Sequence, residues 1–186
     1  MAIGASQWMY RDDGYQINQS ARLNAGTSDY LHSTPSSAGN LRVWTFSFWV
    51  KLGTIGTTEV IFASNSDQTV MRFNGSQFSL REFGDAGNLN TWELKTAMLF
   101  RDRNAWYHIV CSVDTTQATD TNRAKIYVNG VEGAYATASY PDRNQDTSIN
   151  ADAKHNIGSR TDSNDALAQY FTGYLSEINH IDGTQY

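Results

Sequence analysis

The sequence predicts an all-β protein, an antiparallel β-sandwich. Three observations carry that expectation. The first is the stretch 44–51, Trp-Thr-Phe-Ser-Phe-Trp-Val-Lys. Trp44, Phe46, Phe48 and Val50 fall on one face at a spacing of two, with Thr45, Ser47, Trp49 and Lys51 on the other. Only an extended strand repeats every two residues. The second is the number of short strand candidates, about a dozen, separated by turns rich in Gly, Asn, Asp, Ser and Thr. The third is the lack of any window with a convincing helical period.

Residues 1–14 carry no clear period and read as an N-terminal arm with two aromatics, Trp8 and Tyr10, which lie on the domain or on an assembly partner. The domain itself runs from 15 to 186. Tyr15, Ile17, Ala21 and Leu23 suggest a first strand over 15–23, bulged near Asn18, followed by a short strand at 29–32. A polar loop at 33–40 leads into the central strand. After a turn at 53–58, residues 59–63 read as a strand. Residues 69–73 and 77–83 form a hairpin around Asn74-Gly75, a pair suited to positive φ. Residues 91–100 place Trp92, Leu94 and Thr96 on one face. Tyr107, Ile109, Cys111 and Val113 define a second strong strand over 106–113, with His108 on its polar face. The strand at 124–129 returns through Asn129-Gly130 into 131–132. A polar loop covers 142–152, and strands at 156–158 and 171–181 close the chain. Residues 165–169 read as at most one helical turn.

Composition narrows function. The chain of 186 residues is long enough for a core without covalent staples, and its single cysteine cannot form an internal disulfide. A formal net charge of −5, with no run of Lys or Arg, argues against nucleic acid. No apolar run approaches the ~20 residues that span a bilayer, so no membrane insertion is expected. Met1–Ser6 lacks the features of a signal peptide, and the chain is expected to be made in the cytoplasm.

Four blocks in order resemble the laminin-G-like, concanavalin A-like jelly roll: Ser28-Asp29-Tyr30-Leu31 running through Trp44–Lys51; Trp106-Tyr107-His108-Ile109-Val110; Lys125-Ile126-Tyr127-Val128-Asn129-Gly130; and Phe171-Thr172-Gly173-Tyr174-Leu175-Ser176-Glu177-Ile178. The resemblance covers roughly residues 15 to 183. The wording of 19–23, 33–40 and 175–183 is further similar to structural proteins of tailed bacteriophages. That resemblance implies a virion component, in a tail fibre or decorating the head, with other virion proteins and copies of itself as partners. Relatives continue a few residues past the closing strand, where this chain stops at Tyr186.

Some members of this fold hydrolyse glycans with a Glu-x-Asp-x-x-Glu strand motif, two carboxylates flanking the glycosidic bond. Each of Glu59, Glu82, Glu93, Glu132 and Glu177 is followed two residues later by a non-acid, so the motif is absent and no catalytic residue is assigned. The four His are scattered. Cys111 reads as a buried, inert thiol. Relatives often hold Ca²⁺ in loops; Asp114 and Asp120 flank one loop, and Asp142, Asp146 and Asp152 lie in another. They match no ligand pattern, so they read as solvated loop acids and no metal or other cofactor is assigned, with Ca²⁺ at Asp114 and Asp120 as the alternative reading. Trp49 has two readings: packing under a covering segment, or a platform for a sugar ring. Tyr127 has the same two. The loops around Asn144-Gln145-Asp146 and Asp162-Ser163-Asn164-Asp165 would supply polar contacts, giving a candidate ligand set of Trp49, Tyr127, Asn144, Asp146, Asp162 and Asn164 for host surface glycan.

Overall fold

The structure, a computed structural model, describes residues 17–64, 68–83, 90–162 and 166–186. The arm aromatics Trp8 and Tyr10, and Asn164, lie outside them. Among the described residues fifteen strands follow in chain order: β1 (Ala21–Leu23), β2 (Leu31–Ser33), β3 (Val43–Leu52), β4 (Thr58–Ser64), β5 (Thr69–Asn74), β6 (Gln77–Phe83), β7 (Asn90–Thr96), β8 (Tyr107–Asp114), β9 (Ala124–Val128), β10 (Val131–Glu132), β11 (Tyr135–Ser139), β12 (His155–Ile157), β13 (Arg160–Thr161), β14 (Leu167–Ala168) and β15 (Gly173–Asp182). Every pairing is antiparallel. One sheet has the order β1-β15-β3-β8-β9-β10 and the other β11-β7-β6-β5-β4-β12-β2, with β13-β14 as a separate small pair. The order is far from sequential, as a jelly roll requires.

The core lies between the two large sheets. Trp44, Phe46, Phe48 and Val50 of β3 are all within 2 % of complete burial, as the alternation requires. They share one core cluster with Phe62, Phe73, Phe78 and Phe100 from the opposite sheet and its loops. Phe46 contacts Phe62 at 4.7 Å between centroids, Phe48 meets Phe78 at 6.0 Å, and Phe73 meets Phe100 edge-on at 5.1 Å. At about 1.5–3 kcal/mol per fully buried large apolar side chain, these rings supply the main drive to closure. Cys111 is fully buried in the same core, and burial pushes its thiol pKa well up.

The structure departs from the sequence expectations at identifiable places. Among the described residues of the expected 15–23 strand, only Ala21–Leu23 form one, paired with residues 173–175 of β15. The strand expected over 91–100 stops at Thr96, after which Phe100 turns into the core. The β5–β6 loop is Gly75-Ser76 rather than Asn74-Gly75, since Asn74 still pairs with Gln77; Gly75 supplies the positive φ, +67°. The second hairpin is as expected, with Asn129 and Gly130 at φ 51° and 80° between paired Val128 and Val131. Strand β11 has no periodic signal: apart from Tyr135 it is exposed, and it exists because it pairs with β7. Of the expected helical turn at 165–169, Leu167 and Ala168 form β14 instead.

Thr45 is 2 % exposed although it points away from the core. Residues 184–186 lie over this part of the outer face. Thr45 donates to the Thr184 carbonyl at 2.8 Å and accepts from the Tyr186 amide at 3.1 Å, while Ser112, its cross-strand partner, donates to the Tyr186 carbonyl at 2.6 Å.

Candidate functional site

The loop 142–152 is polar in sequence but partly interior in the structure. Its residues Thr147, Ser148, Ile149 and Asn150 are buried, whereas Asp142, Asn144, Asp146 and Asp152 are exposed. A threaded hydroxyl holds it: the Trp44 indole N–H donates to Thr147 Oγ1 at 2.9 Å, and Thr147 donates to the Leu41 carbonyl at 2.7 Å. Asn150 adds side-chain bonds to the Asn40 carbonyl and to Asp182. The loop is thereby pinned across the end of the sandwich where β3 begins.

Against this end the structure forms a polar concavity of about 380 Å³. Glu82 of β6 stands in it with Gln68, Thr91, Gln145, Asp146 and Ser148, and with Leu41 and Phe83 as apolar walls. Glu82 is 5 % exposed. Ser148 donates to its Oε1 at 2.6 Å, and Thr69 donates to its Oε2. Only Asp146 of the sequence candidates lines this concavity, and its carboxylate also pairs with Arg42 at 2.6 Å. Sequence reading missed Glu82, although the signal was there. Glu82 has the parity of Phe78 and Leu80, so the alternation places a carboxylate on the core-facing side of its strand.

The outer face of the β15-β3-β8-β9 sheet carries Trp49 and Tyr127. Trp49 is half-buried and sits directly opposite His108 in register, their rings 5.0 Å apart at 35°. Burial holds the His108 pKa below its usual value, so the imidazole is neutral at pH 7. One rung along, Tyr174 is paired with Lys51 and contacts Trp106 at 6.5 Å. Tyr174 is 37 % exposed. Tyr127 lies on the same face, opposite Val110, and lines a smaller hollow of about 190 Å³ with Lys125, Asn122 and Tyr186. The result is an aromatic row, Trp106–Tyr174 and Trp49–His108, with Tyr127 beyond it.

The candidates therefore divide. Val43 and Trp49 are six residues apart on β3, about 20 Å at 3.3 Å per residue, so Trp49 and the Asp146 loop belong to different ends of the molecule. Asn144 is exposed at φ 63° and its amide donates to the Thr115 carbonyl. Asp162 exchanges two 2.9 Å bonds with Ala166.

The loop acids do not gather. Asp114 accepts from the Thr116 amide and hydroxyl and from Gln117 Nε2. Burial works to raise its pKa, but these bonds outweigh it and hold the carboxyl below the usual range. Asp120 accepts from the Thr121 amide at the start of a short 3₁₀ turn. Among the described residues no three His, Cys, Asp or Glu side chains come close enough to hold a metal ion. No helix among them is long and apolar enough to cross a membrane.

The two buried glutamates are likewise apart. Glu59 is level with Phe73, which pairs with Phe78, while Glu82 is level with Thr69. Four residues along β6 is about 13 Å, beyond the ~5–9.5 Å between the acids of a glycosidase. Burial pushes the Glu59 pKa up, opposed by hydrogen bonds from Thr54, the Thr172 backbone and Thr57.

A third concavity, about 350 Å³ and mainly apolar, opens between the sheets at β2, β12 and β15. Phe46, Phe62, Leu31 and Ile178 line it, with His155 and His180 at its rim. Burial lowers the pKa of both histidines. The Ala153 carbonyl opposes this at His155, while at His180 the neighbouring His155 adds to it and Asp182 opposes it.

Against known families, the laminin-G-like profile described as the concanavalin A-like lectin/glucanases superfamily matches residues 25–183. The chain belongs to that superfamily. Solved structures agree on the fold. Mouse laminin α1 domains LG4-5 are 13 % identical with a TM-score of 0.62, covering 92 % of this chain and 44 % of that one. The binding domain of Paraclostridial Mosquitocidal Protein 1 gives 13 % and 0.62, covering 90 % and 40 %. The chain thus spans less than half the length of either. Domain 4 of AbnA, an extracellular arabinanase from Geobacillus stearothermophilus solved with arabinotriose, is 20 % identical at a TM-score of 0.53, covering 81 % and 64 %. No curated protein matches the chain. At these identities the likeness to solved structures establishes the sandwich fold.

Proposed function

We propose that this domain is a non-catalytic glycan-recognition module. The observation that carries it is the aromatic row on the outer face, Trp49–His108 and Trp106–Tyr174, in a chain of a lectin superfamily. Aromatic faces bind the C–H side of a sugar ring, and an indole beside a neutral imidazole adds both apolar area and hydrogen-bonding edges. The bound arabinotriose of the arabinanase domain supports a sugar-binding use of this sandwich. A non-catalytic role is supported by the missing acid motif and by the wide separation of Glu59 and Glu82.

A glycan array tests the reading. Saturable binding that falls at least tenfold in Trp49→Ala, with the fold intact by circular dichroism, is the expected result. An array with no hit for the folded protein overturns it. Release of reducing ends from any bound polysaccharide would overturn the non-catalytic part.

The sequence favours a setting for such a module. The blocks 19–23, 33–40 and 175–183 resemble tailed-phage structural proteins, and we place the domain in a virion, in a tail fibre or head decoration, docked through its N-terminal arm and self-associated. There it would meet host surface glycan. Light scattering and binding to purified virion proteins test this. A strictly monomeric protein with no affinity for virion components removes the assembly role and leaves the glycan reading standing.

A further inference from the structure

The polar concavity at the loop end is a second feature, remote from the aromatic row, and neither fold nor sequence motif assigns it a use. Its central group is the Glu82 carboxylate, more than nine-tenths buried on the inner face of β6. Hydroxyls dress that carboxylate, Ser148 at 2.6 Å and Thr69 on the other oxygen. Neutral groups surround them: the Gln68 amide lies 2.9 Å from the Ser148 hydroxyl, and Gln145 donates to Thr91 at 3.1 Å. Phe83 supplies an apolar wall.

We propose that this concavity is a subsite for one neutral sugar residue, held through a pair of adjacent hydroxyls. The inference extends the glycan reading to a separate place on the molecule and rests on it. A carboxylate only accepts, and sugar hydroxyls are donors that also accept in turn, so a vicinal diol matches a carboxylate ringed by amides and hydroxyls. The volume of about 380 Å³ is that of a small-ligand site. Charge decides between sugar classes. Arg42 answers the charge of Asp146, but Glu82 also lines the concavity, so an acidic sugar would bring its carboxylate against that of Glu82. A calcium ion is the poorer occupant. It wants six to eight oxygens, and Asp146 is already paired with Arg42.

Amide-detected NMR titration of the whole chain tests the proposal. The probes are arabinose, galactose, glucose and mannose, with N-acetylneuraminic acid and CaCl₂ as separate arms. At least one neutral sugar is expected to shift the amides of Gln68, Glu82 and Ser148, and the acidic sugar to leave them in place. Glu82→Gln should weaken this at least tenfold. Because a buried substitution can disturb folding, Ala151→Trp provides a second route. It fills the concavity from its wall without removing a hydrogen-bonding side chain, and should abolish the same shifts. Trp49→Ala should leave them unchanged. Sugar-induced shifts confined to the strands around Trp49 and His108 overturn the subsite while sparing the glycan reading. Shifts at Glu82 produced by CaCl₂ and not by sugar overturn it in favour of a cation. The absence of any sugar response, with no hit on the array, sinks both.

Discussion

Replacing Thr147 by valine removes one hydroxyl and almost no volume, at a residue 2 % exposed. That hydroxyl accepts from the Trp44 indole N–H at 2.9 Å and donates to the Leu41 carbonyl at 2.7 Å. Trp44 is fully buried, so its N–H would be stranded away from water at a cost of about 1–3 kcal/mol. The Leu41 carbonyl keeps the bond it accepts from the Thr147 backbone amide at 2.8 Å, so its loss is smaller, about 0.5–1 kcal/mol. The sum is about 1.5–4 kcal/mol, a large part of the ~5–15 kcal/mol by which a domain is stable. Urea unfolding followed by tryptophan fluorescence measures it. With a slope of about 2–3 kcal/mol per molar, the midpoint should fall by roughly 1 M at unchanged slope. Thr147→Ser keeps the hydroxyl and should lose well under half as much. A fall below about 0.2 M for the valine variant, or equal losses for valine and serine, would refute the idea that this bond pins the loop.

Gly173→Ala should destabilise by about 3 kcal/mol or more in thermal melts, since the new methyl would lie 2.3 Å from the Lys51 carbonyl oxygen, and neighbouring backbone cannot retreat; a melting point within 2 °C of the parent would contradict the packing described. Stability should decline as pH falls through about 6.5, the unfolded histidine value. Burial depresses the folded pKa of His108, His155 and His180, so the unfolded chain takes up protons first. Their contribution is full above that pH and is lost as pH drops toward the folded values. His155→Gln should flatten the slope in pH-dependent urea titrations, and an unchanged slope would exclude that residue as a source. Cys111 should resist a thiol reagent at pH 8 in the folded protein and react at once in denaturant; prompt labelling of the native protein would show the core is not closed around it. Chelator should leave the melting temperature unchanged, and a fall of several degrees would reveal a bound cation.

The sandwich was legible in the chain because burial imposes a period. Phe46, Phe48, Ile109 and Ile126 sit at every second position because a strand shows alternate side chains to one sheet face, and the core accepts only that set. The same period marked Glu82 as a carboxylate on the interior side, a sign read only once the pocket was seen. Register, crossovers and loop paths were not legible. Strand β11 is exposed and owes its existence to β7, Thr45 is covered by residues more than a hundred positions away, and Trp49 stands about 20 Å along its strand from the loop of Asp146. Local pattern can state which way a side chain points, because that depends on its own backbone. Which residues then share a pocket depends on how distant strands pair and which loop is pinned over their ends. Only the folded molecule decides that, through bonds such as the one from Trp44 to Thr147.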